Sequence, residues 1–280
     1  MFRPKAAMLT LYGDYVRNRG MEIGIGSLIE LLANFDLSEQ SVRSSVSRMC
    51  RQGLLKVRHD SGKSYYSLAD EGTRLLNEGG RRISKRHSTK WNGYWSVVVY
   101  FIPEEKRKSR DTLRQEMKWM GYGPLSTATW ISPNDLSKEV EALAEKLNVK
   151  EYMEVFQAKH LGFGDPKSII SHCWDLNRIH NRYAKFIEEY SAKLDEHRKL
   201  LENGNGVVSS EFFTERFELI HQYRRLPYLD PDLPEDLLPE NWLRSQASEL
   251  FHEYHDILAK KANSYFNSVL NLYQARVHKV

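Results

Sequence analysis

The chain has 280 residues, of which 41% are hydrophobic and 28% are charged, so it can build roughly two or three domains with hydrated surfaces. Its longest apolar run, Val97 to Ile102, is far shorter than the roughly 20 residues of a membrane span, and its first residues lack the apolar core of a secretion signal. Two distant cysteines, Cys50 and Cys173, exclude a disulfide framework and indicate a reducing compartment. We therefore expect a cytoplasmic globular protein that does not enter the membrane.

Charge is distributed unevenly along the chain, whose net charge is +4. Residues 1–90 hold 16 Lys and Arg against 9 Asp and Glu, a net of +7, whereas residues 91–280 hold 25 against 28, a net of −3. A basic module joined to a mildly acidic body favours a polyanionic partner for the front end. Charge alone leaves an ordinary solvated surface equally open.

Residues 1–90 have the pattern helix, helix, helix, hairpin, helix. Apolar residues at helical spacing mark the first helix, namely Met8, Leu11, Tyr12 and Tyr15. Ser27 is expected to cap a short second helix through about Ala33, and Ser38 a third helix that stops at Gly53.

Alternating residues after Gly53 predict a hairpin with strands at 54–58 and 64–68 and a turn at 59–62. Asp70 is expected to cap one more helix, which ends near Gly79 and Gly80. Residues 81–90, RRISKRHSTK, follow as a basic linker.

Residues 91–165 mix strands and helices. The predicted elements are a buried strand at 95–102, a charged helix to about Met120, a strand region at 123–132, a helix marked by Leu136, Val140, Leu143 and Leu147, and a strand at 151–160. A strand–helix–strand–helix–strand order of this size predicts a small α+β domain of ferredoxin-like outline.

Residues 166–280 are expected to be helical, with one long amphipathic stretch from Ile169 to Leu194 and two further helices at 212–226 and 242–273. The four prolines in 224–242 predict an ordered, extended connection. The fold class is therefore α+β, with three domains at 1–90, 91–165 and 166–280.

The third helix, over residues 39–52, has two different sides. Its core side is apolar and comprises Val42, Val46, Met49 and Cys50. The outward side is predicted to carry no carboxylate and holds Gln40, Ser44, Ser47, Arg48 and Arg51, with Ser41 and Arg43 on the flanks. These side chains suit base edges in a major groove, where Arg pairs with guanine, Gln with adenine and Ser with either.

The elements around that helix complete a DNA-binding module. The preceding helix supplies the other half of a helix-turn-helix, and the hairpin offers Arg58, Lys63, Tyr65 and Tyr66 as a wing for phosphates or the minor groove. The alternative is a solvent-exposed helix that binds no partner. It is disfavoured because a helix pair, a capped helix, a basic hairpin and a basic linker follow one another in this order. The sequence predicts a winged helix-turn-helix that binds operator double-stranded DNA.

Three segments carry a family resemblance, namely SVRSSVSRMCRQGLL with the hairpin after it, NGYWSVVVYFIPE, and the proline-spaced RRLPYLDPDLPEDLLPENW. They resemble the corresponding segments of the PaaX family, repressors of phenylacetic acid catabolism genes. The resemblance covers nearly the whole chain and implies a homodimeric repressor that releases DNA on binding phenylacetyl-CoA. It leaves open an acyl-CoA from another aromatic acid pathway.

An effector pocket has weak candidates in the sequence. Trp95, Tyr122, Trp130 and Trp174 are candidates for walls around an aromatic acyl group, and Arg178 and Arg182 for contacts with CoA phosphates. Aromatic residues at such positions more often belong to an ordinary core.

Enzymatic chemistry finds little support in the sequence, and we expect no catalytic residue, metal site or cofactor. His252 and His255 lack the spacing of a zinc protease helix, and Cys173 beside His172 is better explained by core packing. The central domain resembles small CRISPR-associated endonucleases, but residues 91–103 contain no Asp or Glu, and Glu104 and Glu105 follow only after Pro103. A nuclease, an acyl-CoA hydrolase and a structural dimer adaptor remain as alternatives.

Overall fold

A computed structural model describes residues 2–17, 22–84, 90–162, 164–202 and 209–275. The described residues fall into two compact units. The first unit contains those of Met1–Ser84, Phe186–Arg224 and Gln246–Val280, and the second those of Lys85–Lys185 and Arg225–Ser245. The three domain boundaries inferred from the sequence stay a prediction.

The helices and strands are numbered in chain order. In the described residues the α-helices are α1 (Pro4–Leu11), α2 (Ile25–Ala33), α3 (Glu39–Arg51), α4 (Asp70–Ser84), α5 (Arg107–Met120), α6 (Ser137–Lys146), α7 (Pro166–Cys173), α8 (Leu176–Glu202), α9 (Ser209–Tyr223), α10 (Leu226–Leu229) and α11 (Arg244–Ala275). The strands are β1 (Ile23–Gly24), β2 (Leu55–Asp60), β3 (Lys63–Leu68), β4 (Tyr94–Tyr100), β5 (Gly123–Pro124), β6 (Thr129–Ser132) and β7 (Met153–Lys159). None of these described helices combines the length and apolarity needed to cross a membrane. The predicted α+β class, with a mixed central part and a helical C-terminal part, is confirmed.

The first unit contains a small antiparallel sheet with the strand order β1-β3-β2. The predicted apolar positions of the first helix are buried, and a π-helical turn, Tyr12–Val16, extends α1. Within that turn the Tyr12 hydroxyl donates a hydrogen bond to the Tyr66 carbonyl oxygen at 3.0 Å. The N-terminal helix is therefore fastened to the middle strand of the sheet.

Aromatic side chains join the N-terminal helices to α9 and α11 in the same unit. Phe35, which follows α2, stacks on Phe217 of α9 with ring centroids 4.0 Å apart. Tyr15 stacks on Phe266 of α11 at 4.9 Å, and all four rings are buried. Because burying a large apolar side chain stabilises a fold by about 1.5–3 kcal/mol, this cluster makes α9 and α11 part of the core of the first unit.

The second unit is built on an antiparallel sheet with the strand order β5-β6-β4-β7. Its chain order, β4-α5-β5-β6-α6-β7, is that of a ferredoxin-like domain. Side chains alternate across β4, so Val98 and Tyr100 pack with α5 and α6 on one face, while Trp95 lies on the other. That second face packs against Ile170 of α7 and Leu233 of the proline-rich segment.

Two predicted helix ends are wrong. Ser27 is buried inside α2 instead of capping it, because β1 pairs with β3 up to Gly24 and the helix starts at once. Helix α4 continues past Gly79 and Gly80, where a Cβ on Gly80 would lie 3.1 Å from an Arg17 guanidinium nitrogen. Gly80 therefore permits a close approach of Arg17, and the two glycines do not end the helix. Of the predicted basic linker, residues 85–89 lie outside the described residues.

Two predicted elements are each divided. The strand region 123–132 is a pair of short strands, β5 and β6, joined by a turn. The amphipathic stretch from Ile169 to Leu194 is interrupted between α7 and α8, where the backbone of Trp174 is extended. The Trp174 ring packs on Gly123, where an added Cβ would lie 2.6 Å from it. The break between α7 and α8 therefore coincides with a tertiary contact of Trp174.

Candidate nucleic-acid interface

Helix α3 is a well-terminated helix with one buried side. Ser38 caps its start, since its Oγ accepts a hydrogen bond from the Ser41 backbone N–H at 3.3 Å. Gly53, with a φ of +69°, lies just after its end. Val42, Val46 and Met49 are buried as predicted and Cys50 is half-buried, so the orientation of the helix on its core is confirmed.

The outward side of α3 exposes its predicted polar residues. The exposed set is Gln40, Arg43, Ser44, Ser47, Arg48 and Arg51. Apart from that of Arg43, none of their side chains forms a hydrogen bond or ion pair with another described residue. Their side-chain donors and acceptors are therefore open to a partner.

The first turn of α3 differs from the prediction, because its outward side does carry a carboxylate. Glu39 is exposed, and its Oε1 accepts a hydrogen bond from Arg43 Nε at 2.8 Å. Ser41 is half-buried, and its hydroxyl donates to the Ser38 carbonyl oxygen at 2.7 Å. Arg43 and Ser41 are thus engaged within the helix, and the open positions concentrate from Ser44 to Arg51.

The hairpin β2–β3 follows α3 directly and has a tight tip. Asp60 pairs with Lys63 across a two-residue turn, Ser61-Gly62, in which both residues have positive φ, 48° and 74°. Such a turn matches the twist of antiparallel strands and favours glycine at its second position. Lys63 is exposed at this tip and forms no ion pair with a described residue. The hairpin therefore presents one uncompensated cation at its end.

Arg58 on β2 is less available than its sequence position indicates. Its Nε donates to Glu22 Oε2 at 2.7 Å and its Nη1 to Asp60 Oδ2 at 3.0 Å. The hydrogen bond to Glu22, followed by the one to Asp60, raises the pKa of Arg58 above its ordinary value. Because two carboxylates compensate its charge, a phosphate would have to displace them to bind Arg58.

Tyr65 and Tyr66 are adjacent on β3 and point to opposite faces of the hairpin. Both are half-buried. The Arg58 guanidinium lies over the Tyr65 ring, 4.9 Å from its centroid. The Tyr65 ring thus supports Arg58, and the Tyr66 backbone is held by Tyr12.

The predicted effector residues do not gather in one pocket. Trp130 and Tyr122 belong to the core cluster on the helical face of the central sheet, whereas Trp95 and Trp174 belong to the cluster on the opposite face. The Tyr122 hydroxyl is buried and hydrogen bonds with Ser96 at 2.7 Å. Most of these rings are therefore core residues.

The two predicted arginine contacts of the effector lie on α8. Arg178 is exposed and Arg182 is half-buried. Neither forms an ion pair with a described residue. Their role as phosphate ligands stays a prediction.

Side chains with catalytic potential are engaged in packing or ion pairs. Cys173 is 7% exposed, and burial raises the pKa of its thiol to about 11, which disfavours the nucleophilic thiolate. His255 pairs with Asp14, its Nε2 lying 2.9 Å from Oδ1. In the part of the chain that the structure describes, no three His, Cys, Asp or Glu side chains come together as a metal site would require.

Sequence patterns did not identify a buried polar cluster in the first unit. Arg216 of α9 is 5% exposed, and its Nη2 donates to Asp14 Oδ1 at 3.1 Å while its Nε lies 2.9 Å from Oδ2. With His255 of α11, the cluster ties the turn after α1 to both C-terminal helices of the unit. These residues are far apart in the chain, so spacing carried no signal of their contact.

Comparisons with known proteins agree along the chain. Three family models match: "PaaX-like protein" over residues 3–72, "PaaX protein central Cas2-like domain" over 88–170, and "PaaX-like protein C-terminal domain" over 174–268. The chain is 30% identical over 245 residues to "Transcriptional repressor PaaX" of Escherichia coli (strain K12), covering 86% of this chain and 76% of that protein.

A solved structure supports the fold. The "Uncharacterized protein Rv0674 from Mycobacterium tuberculosis" superposes with a TM-score of 0.60 at 19% identity, covering 94% of this chain and 97% of that one. At this identity the likeness concerns the fold alone. The matched models and the 30% identical relative together show that this chain belongs to the PaaX family.

Proposed function

We propose that this protein is a cytoplasmic, DNA-binding transcriptional repressor of phenylacetic acid catabolism genes. The observation that carries the proposal is the outward side of α3, where Ser44, Ser47, Arg48 and Arg51 are exposed and unengaged by other described residues. The similarity to a transcriptional repressor of Escherichia coli supports the regulatory role.

The DNA-binding module is a winged helix-turn-helix made of α2, α3 and the β2–β3 hairpin. Helix α3 enters the major groove, where Arg48 and Ser44 approach base edges. Lys63 at the hairpin tip contacts a phosphate. Arg58 contributes by holding the hairpin, because Glu22 and Asp60 compensate its charge.

Selection of bound fragments from genomic DNA tests this function and also identifies the operator sequence. The recovered site is then titrated by fluorescence anisotropy beside a scrambled duplex of equal length, at several salt concentrations. We expect tight binding to the site and weaker, more salt-dependent binding to the scrambled duplex. Equal affinity for both duplexes would favour a structural dimer adaptor or nonspecific binding.

The effector in this proposal is phenylacetyl-CoA, which releases the repressor from its operator. Since coupling between two binding sites is reciprocal, operator DNA must weaken phenylacetyl-CoA binding by the factor by which the ligand weakens operator binding. A thermal-shift screen with several aromatic acyl-CoAs identifies the ligand, because a ligand stabilises the folded state that it binds. A larger increase in melting temperature with another acyl-CoA would assign the protein to another aromatic acid pathway.

The repressor acts as a homodimer, since operator half-sites are usually matched by two-fold protein symmetry. Light scattering at micromolar concentrations should give the mass of two chains. A monomer mass across that range would contradict this part of the proposal.

A metal-dependent nuclease is the second candidate, favoured by the match of residues 88–170 to a Cas2-like domain. The first carboxylate after β4, Glu104, is paired with Arg110 at 2.8 Å, and this hydrogen bond lowers the pKa of Glu104. Incubation with labelled DNA and RNA in Mg²⁺ or Mn²⁺ separates the candidates. Cleavage lost on Glu104→Gln substitution would support the nuclease.

A further inference from the structure

A groove of about 620 Å³ lies in the second unit, lined by α5 on one side and by the β5–β6 segment on the other. Its charged lining comes from Arg114, Lys118 and Asp111, and its apolar lining from Pro124 and Trp130. Of the effector residues predicted from the sequence, Trp130 alone lines this groove. The combination of cations with a flat apolar wall is what a binding site for an organic anion requires.

Arg114 is held in place by neutral acceptors. Its Nε donates to Tyr100 Oη at 2.8 Å and its Nη2 to the Thr127 carbonyl oxygen at 2.7 Å. The Tyr100 hydroxyl donates to the same carbonyl oxygen at 2.9 Å, which locks the arrangement. A guanidinium carries more N–H donors than these bonds use. Arg114 is therefore oriented in advance, with its charge uncompensated by any carboxylate within 4.0 Å in the described residues.

Neighbouring arginines on the same helix behave differently. Arg110 pairs with Glu104 at 2.8 Å, and Arg107 lies 3.7 Å from Glu104 and 3.8 Å from Asp111. These contacts satisfy both arginines and also engage Asp111, the one acid that lines the groove. The positive charge of the groove is thus kept while the charge beside it is neutralised.

Lys118 supplies a second cation on the same side of α5. It is exposed and has no carboxylate within ion-pair distance among the residues that the structure describes. One helical turn separates it from Arg114, which places their Cβ atoms about 5–6 Å apart. That spacing suits two oxygens of one phosphorylated ligand.

The apolar wall of the groove, formed by Trp130 and Pro124, is also held in place. Trp130 is 6% exposed and packs in the core cluster with Val98 and Met117. Pro124, which pairs with Trp130 across β5 and β6, is exposed and adds a rigid ring beside it. Core packing therefore holds the Trp130 part of this wall in place.

We infer that this groove binds an organic phosphate that carries a planar apolar group. Phosphate oxygens meet Arg114 and Lys118, and the planar group lies against Pro124 and Trp130. Inorganic phosphate satisfies only the cations, and an uncharged aromatic molecule only the wall, so each half binds weakly. The identity of the physiological ligand rests on the proposed function: if the effector is an acyl-CoA, its nucleotide part occupies the groove.

Calorimetric titration of the full-length protein tests the site. The probes are phenylacetyl-CoA and adenosine 3′,5′-bisphosphate, with inorganic phosphate and uncharged adenosine as the separate halves. We expect Lys118→Gln and Arg114→Gln each to weaken the binding of both nucleotide probes about tenfold or more. Lys108→Gln makes the same charge change on an exposed residue of α5 outside the groove and should alter affinity by less than about twofold.

The outcomes separate this inference from the proposed function. Equal binding of both nucleotide probes to wild type and Lys118→Gln overturns the groove assignment, even if phenylacetyl-CoA still releases operator DNA. Adenosine 3′,5′-bisphosphate binding that depends on Lys118, without any effect of phenylacetyl-CoA on operator affinity, supports the groove and rejects the proposed effector. If neither nucleotide probe binds to the wild-type protein, the assignment of the groove as a binding site is overturned. Lys118 is exposed, so its variant stays informative if loss of the Arg114 hydrogen bonds unfolds the other variant.

Discussion

Arg244 forms a bidentate ion pair with Asp230, in which its Nε donates to Oδ2 at 2.8 Å and its Nη2 donates to Oδ1 at 2.5 Å. Asp230 is only 7% exposed and also accepts hydrogen bonds from the Tyr183 hydroxyl and the Asp232 backbone N–H, each at 2.9 Å. Arg244 begins α11, and Tyr183 lies on α8. One buried carboxylate thus fixes the proline-rich segment of residues 224–242 to two helices.

Removing the arginine should be costly because the carboxylate would stay buried without its partner. We expect Arg244→Met to lower the free energy of unfolding by about 3–5 kcal/mol. Urea denaturation followed by circular dichroism measures the change. Arg178→Met, which removes an exposed arginine of α8, is the control and should change stability by less than about 0.5 kcal/mol. Similar midpoints for both variants would show that the Asp230 pair contributes little.

Asp14 should make the free energy of unfolding depend on pH in the acid range. Burial raises the pKa of its carboxyl, but the hydrogen bond with His255 and the charge of Arg216 outweigh burial, and the net pKa lies below its ordinary value. Its stabilisation is therefore complete above the unfolded pKa of about 3.9 and is lost as the pH falls through the lower folded pKa.

The variant Asp14→Asn isolates this contribution. We expect it to be less stable than wild type near neutral pH, and the difference to shrink below about pH 4. Denaturant titrations across this range give the comparison, with Glu240→Gln as a control for an exposed carboxylate. A difference that stays constant with pH would mean that Asp14 acts through packing alone.

Much of the fold was predictable because it depends on local periodicity. The burial of Val42, Val46 and Met49 follows from helical spacing, and the β4 strand follows from an uninterrupted apolar run. The failures arise where distant residues decide. Helix α4 continues through Gly80, beside which Arg17 packs, and the helical stretch is interrupted at Trp174, whose ring packs on Gly123.

The part of the candidate site on α3 was predictable because it also depends on local periodicity. The part on the hairpin and the groove beside α5 were less predictable. Exposure of Ser44, Arg48 and Arg51 is a property of one helix, so its pattern was sufficient. The compensation of Arg58 by Glu22 joins residues that are 36 positions apart, and no spacing rule reports such a contact. The Arg114 groove was missed because its cations are recognisable only once their neighbours are seen to be paired.

Val46 tests whether the buried side of α3 holds the module together. It is 2% exposed, so Val46→Asp would bury a charge without a partner. We expect loss of the folded first unit, visible as a lowered melting temperature and reduced helical circular dichroism. Ser47→Asp places the same charge on the adjacent exposed position and should leave the fold intact. A stable Val46→Asp protein would mean that α3 is not anchored through this face.

Lys63 should contribute to DNA affinity without contributing to sequence preference. It lies at the hairpin tip, where a wing follows the phosphate backbone. We expect Lys63→Ala to weaken specific and nonspecific binding about equally and to make the salt dependence of binding shallower by about one unit of slope. Anisotropy titrations at several salt concentrations provide both quantities. A loss confined to the selected operator would instead assign Lys63 a base contact.

Arg48 should contribute to sequence preference itself. It is exposed one turn after Ser44 and is engaged by no other described residue, so its guanidinium can reach a base edge when α3 enters the major groove. We expect Arg48→Ala to cost about 1–3 kcal/mol of operator binding and to relax the preference at one base pair. Binding to the operator and to its single-base variants measures both effects. Arg43→Ala is the matched control, because Arg43 is paired with Glu39 and should matter less. If Arg48→Ala left affinity and base preference unchanged while its melting curve matched wild type, the outward side of α3 would not be the surface that contacts bases.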